Sequence, residues 1–119
     1  LAVYEEYRGE GIGTKLLKEI SENFSNKKGI ILEVESPKYA INEKDKMVRE
    51  KRIRFYEKAN YKIVENMEIC LSSVMFNIMI LNILGTNIDE KEIANELECF
   101  YKNIYKKYGK TLDFYIKLK

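Results

Sequence analysis

The chain has 119 residues, 45% of them hydrophobic and 34% charged, with a formal net charge of +2; this is the composition of one small globular domain, or part of one, and excludes a disordered or membrane chain. So small a charge, with Lys spread along the whole length, gives no argument for nucleic acid. Histidine is absent and Cys70 and Cys99 are the only cysteines, which excludes a Cys/His zinc site or a His-based triad, so no metal is expected, and the two isolated thiols read as reduced, in the cytoplasm.

In chain order, Leu1 to Tyr4 reads as the end of an apolar strand, with no signal peptide ahead of it. Opening inside a strand means either that something upstream is removed or that the domain begins there. Glu5 to Gly13 is a loop that holds three of the six glycines. From Ile12, the positions Ile12, Leu16, Leu17, Ile20 and Phe24 fall on one helical face. Asn26 to Gly29 is expected to end that helix, with Lys in its last turn and Gly after it. Ile30 to Glu35 is strand-like and Pro37 closes it, so Ile31, Glu33 and Glu35 share one face and Ile30, Leu32 and Val34 the other.

Asn42 to Asn60 predicts a second helix, with Met47, Ile53 and Tyr56 or Phe55 towards the core and Asn60 as a left-handed cap. Tyr61 to Glu65 and Val74 to Leu81 predict two strands joined by an irregular "NMEICLSS". The longest apolar run, Val74 to Leu84, holds two Asn and is too short to span a bilayer. Ile88 to Tyr108 predicts a last helix with Asp89 near its start and Gly109 after its end. Thr111 to Leu118 is either a final strand or a packed tail. The order is that of a mixed α/β domain over 1–119, with a motif-bearing core at 1–81 and a carboxy-terminal helix and tail at 82–119. Repeats and linkers are absent from the pattern.

Glycines between a strand and a helix let backbone approach a ligand closely, and the first amides of a helix favour a phosphate. A Walker loop needs Lys followed by Ser or Thr after its last glycine, but Gly13 is followed by Thr14 and Lys15. A dinucleotide fingerprint begun at Gly9 fails at Thr14, although Glu33 lies where such a fold places its ribose-binding acid. The form R-x-x-G-x-G is met by Arg8, Gly11 and Gly13. A glycine turn with no ligand stays open beside it.

"LAVYEEYRGEGIGTKLLKEI", "ILEVE" and "RIRFYEKANYKIVE", in this order, resemble the Gcn5-related N-acetyltransferase (GNAT) superfamily over about Leu1 to Leu81. The resemblance implies a mixed-sheet, three-layer α/β/α fold, truncated at its amino-terminal side. It implies acetyl-CoA as cosubstrate, its pyrophosphate cradled by the backbone of Arg8, Gly9, Glu10, Gly11, Ile12, Gly13 and Thr14. Leu1, Ala2 and Val3 take the place of the strand whose backbone pairs with pantetheine. "FYEKAN" implies Tyr56 as general acid to the leaving thiolate, the other reading being a packed core tyrosine. "LEVE" implies Glu33 as the base for the amine, with Glu35 as understudy; the other reading is a carboxylate that only binds a cationic substrate. Arg49 stands where many relatives carry an Asn that bonds pantetheine, and Asn60 where they carry Gly.

The expected activity is acetyl transfer to a primary amine by direct attack, with no nucleic acid or membrane partner. The alternatives are a truncated or degenerate module that binds CoA or only folds, and an NAD-type oxidoreductase. If the domain lacks the strands and helices that usually precede "LAV", self-association is expected through an open edge at Leu1 to Tyr4, or cover of that edge by the tail, together with weak or no transfer.

Overall fold

The computed structural model describes Glu6, residues 8–108 and residues 114–118. Its elements are α1 (Ile12–Asn23), β1 (Gly29–Glu35), a short 3-10 turn (Pro37–Tyr39), α2 (Glu43–Lys58), β2 (Lys62–Leu71), β3 (Val74–Asn82), α3 (Glu90–Tyr108) and β4 (Phe114–Leu118). The strands form one sheet in the order β1-β3-β2-β4, antiparallel at each of these pairings. This is the mixed α/β architecture expected. The strand end read at Leu1 to Tyr4, and Gly109, lie outside the described residues.

Two apolar cores lie on the two faces of the sheet. Leu17 of α1, Ile53 and Tyr56 of α2, and Val34, Tyr61 and Met79 form one. Ile93, Leu97 and Tyr101 of α3 pack on Val64, Met67, Ile69 and Ile78 to form the other. Strand alternation is the reason: Val34 and Met79 point to one side, and Ile31 and Ile78 to the other. No helix among the described residues is long and apolar enough to cross a membrane.

Three expectations need correction. The first helix ends at Asn23, so Lys27 and Lys28 follow it, and Gly29 opens β1. A Cβ on Gly29 would stand 2.6 Å from the carbonyl oxygen of Leu81, so that glycine permits a close strand approach rather than a helix stop. Most of "NMEICLSS" is strand rather than an irregular joint. β2 runs through it to Leu71, with a register shift between Ile63 and Glu68, and Ser72 and Ser73 turn the hairpin at φ 48° and 69°. Val64 and Met67, three apart, both reach the α3-side core, which an unbroken period of two forbids; the register shift, five positions along β2 from Ile63 to Glu68 against two along β3 from Met79 to Asn77, supplies the odd offset. Met47 is 66% exposed, not in the core, and on α1 only Leu17 is buried. Of the two readings of the tail, the strand holds: β4 bonds β2 at the edge of the sheet opposite β1.

Candidate active site

Gly9 and Gly11 have φ of 85° and 76°, with open space where a Cβ would stand. Gly11 caps α1, and its carbonyl accepts from Lys15 N at 3.0 Å. It offers no side chain to the first amides, and the first turn carries no acidic residue. The amides of Ile12, Gly13 and Thr14 thus have no intrahelical acceptor, and the positive pole of the helix is uncompensated by its own sequence. Arg8 and Glu10 flank this seat on exposed backbone. Gly13 serves a different purpose: a Cβ there would lie 3.0 Å from Cζ of Phe55. Its bare Cα lets α1 sit on α2 one residue from Tyr56. Leu1, Ala2 and Val3 lie outside the described residues.

The second feature is a cavity of about 580 Å³ along β1, the terminal strand of the described sheet. Ile31, Leu32 and Glu33 form its strand wall, Tyr56 enters from α2, and Glu96, Leu97, Phe100 and Tyr101 enter from α3. The cavity therefore wraps the edge of β1 and collects residues from both faces. Glu33 and Tyr56, expected from the sequence, both line it.

Tyr56 is 8% exposed and stands edge-to-face with Phe55 and Tyr61, at centroid distances of 5.3 Å and 5.8 Å. Burial raises its phenol above the ordinary value, and the nearby charge of Arg52 partly opposes this. Among the described residues its hydroxyl has no hydrogen-bond partner, and it lines the cavity. The end of α2 fixes its place. Tyr61 N bonds the carbonyl of Tyr56 at 3.1 Å and Asn60 N that of Glu57 at 3.0 Å, with Asn60 at φ 71°. This is a Schellman motif, and the Tyr56–Tyr61 contact is its apolar partner pair.

Glu33 is exposed and accepts a hydrogen bond at Oε2 from the hydroxyl of Tyr101. Tyr101 is 4% exposed. Its phenol is pushed far above the usual range, first by burial and then by the bond to Glu33 and its charge. Glu35 differs. Its carboxylate lies 3.0 Å from Arg49 Nη2 and 3.8 Å from Arg52 Nη1, both on α2. The strand-face reading put it beside Glu33, but at the end of β1 these guanidinium groups hold it on the α2 side. Arg49 also lies 3.2 Å from Asp45 and donates to the Ser36 carbonyl at 2.9 Å. The Arg49 guanidinium thus ties α2 to the end of β1.

Tyr101, Glu96 and Phe100 were not legible as cavity residues, because the sequence marks their stretch only as a last helix. The available signal was a tyrosine within that helix, whose hydroxyl needs an acceptor if buried.

A family model described as an acetyltransferase (GNAT) domain matches residues 1–63. That span, over half of the chain, holds the glycine loop, β1 and α2, and the chain belongs to the GNAT acetyltransferases. No curated protein and no solved structure gave a significant match.

Proposed function

We propose that this chain transfers an acetyl group from acetyl-CoA to a primary amine. The observation that carries the reading is the cavity shared by Glu33 and Tyr56, one residue from the Phe55 contact that joins α2 to the glycine start of α1. The loop fits the cosubstrate: open left-handed glycines and uncapped helical amides suit a pyrophosphate. The backbone from Arg8 to Thr14 holds the phosphates, and the backbone of Leu1 to Val3 pairs with the pantetheine. When bound, acetyl-CoA supplies an activated acetyl group and a thiol leaving group.

The remaining work falls to side chains. Tyr56, kept protonated by burial, holds a proton at its hydroxyl for the sulfur. Glu33 takes a proton from the amine at Oε1, since Oε2 is engaged by Tyr101. Glu33 and Glu96 make the cavity acidic and, among the described residues, no Lys or Arg lines it, which suits an acceptor arriving as a cation. The two cysteines are free thiols, Cys70 partly buried and Cys99 exposed, as suits a cytoplasmic enzyme.

The test mixes the chain with acetyl-CoA and a panel of alkyl monoamines, diamines and Lys-containing peptides, and follows free thiol. Thiol release that depends on the amine is the expected result. Acetyl-CoA binding with no amine-dependent release from any member would leave a binding module instead.

A further inference from the structure

We infer that Tyr101 is a positioning residue for Glu33: its hydroxyl holds Oε2 of the carboxylate and leaves Oε1 for the acceptor amine. The inference deepens the acetyl-transfer reading above and rests on it for the role of Glu33. Glu33 is exposed on the terminal strand of the described sheet, where an unrestrained carboxylate samples several rotamers. Tyr101 has no such freedom. Its ring lies 5.7 Å from that of Phe100 and 5.2 Å from that of Phe114 on β4. A phenol locked by packing, bonded to one oxygen of a carboxylate, fixes the orientation of the other.

The two residues come from different parts of the chain. The family match ends at residue 63, so Glu33 lies inside it and Tyr101 beyond it. Glu96 and Phe100, on the same stretch of α3, join Tyr101 in the cavity wall. The carboxy-terminal helix therefore does more than cover the sheet: it sets the geometry of the acceptor side. The bland alternative is that Glu33 merely satisfies a buried hydroxyl. That reading makes the pair a matter of stability and predicts no effect of Tyr101 through Glu33 on turnover.

Among the described residues, the titratable groups that share the cavity with Glu33 are Tyr56 from α2 and Glu96 and Tyr101 from α3. Tyrosines labelled with carbon-13 at Cζ report the Tyr101 phenol by NMR, assigned with Tyr101→Phe. In the Glu33→Gln variant the Tyr101 Cζ resonance is expected to shift at neutral pH, because the acceptor of its hydroxyl is no longer a carboxylate. An unmoved resonance overturns the pair. This measurement needs neither cosubstrate nor acceptor, so it stands or falls separately from acetyl transfer.

The rate side is a double-mutant cycle with 1,5-diaminopentane as the probe amine. Tyr101→Phe keeps the ring packing and is expected to lower kcat about tenfold with unchanged KM for acetyl-CoA. In the Glu33→Gln background the same change is expected to have no effect. An equal loss in both backgrounds, or no loss in either, would overturn the positioning role.

Discussion

Two carboxylates on one strand looked interchangeable as bases, and their surroundings separate them. Glu33 lines the cavity, whereas Glu35 is held by Arg49 and Arg52. Glu35→Gln is therefore expected to leave turnover within about twofold, while Glu33→Gln lowers kcat by about a hundredfold, the order that a general base contributes; steady-state kinetics on one amine checks both. Tyr56→Phe removes only the hydroxyl and keeps its contacts with Phe55 and Tyr61. A fall in kcat of about ten- to a thousandfold, with acetyl-CoA affinity unchanged, is the expected outcome. Full activity would make Tyr56 a packing residue. At this scale the sequence carried Glu33 and Tyr56 through local motifs. It did not carry Tyr101, which meets Glu33 from 68 positions away, a distance that no local pattern encodes.

The ends of elements were readable where one residue performs one local task. Asn60 was expected as a left-handed cap and takes φ 71°. Asp89 accepts from Glu92 N at 2.8 Å ahead of α3. Asn42, the first residue of the expected second helix, is the N-cap of α2, accepting from Asp45 N at 2.8 Å. Asn42→Ala is expected to lower stability by about 1 kcal/mol in urea unfolding. Boundaries that depend on tertiary packing were not readable. Gly29 looked like a helix stop because its real constraint, the Leu81 carbonyl, belongs to another strand. Gly29→Ala must push that backbone away and is expected to cost about 1–3 kcal/mol in the same assay. A neutral result would show that the strands part easily there. The bulge in β2 escaped notice for a related reason: it breaks the alternation by which strands are recognised.

Among the described residues, three buried tyrosines have phenols raised by burial: Tyr56 and Tyr61 on the α2 side and Tyr101 on the α3 side. In the unfolded chain these groups lose their protons near pH 10, while the folded chain still holds them. Above that pH the folded state binds more protons than the unfolded state, so stability is full below pH 10 and falls as the pH climbs past it. Thermal unfolding should show Tm declining between about pH 10 and 12, less steeply in Tyr101→Phe. The mixed α/β order of elements was legible from hydrophobic periodicity, but the assignment of α3 to the face opposite α1 and α2 was not, since periodicity marks an apolar face without naming its partner. The account as a whole depends on the glycine start of α1 being a phosphate seat. Calorimetric titration of CoA into the wild-type chain and into Gly11→Asp tests this most directly, because the new carboxylate would itself take the helix amides. The account predicts that affinity falls at least about tenfold in the variant, the scale of 1.4 kcal/mol, with α1 intact by circular dichroism; equal CoA affinity in the two proteins would contradict it.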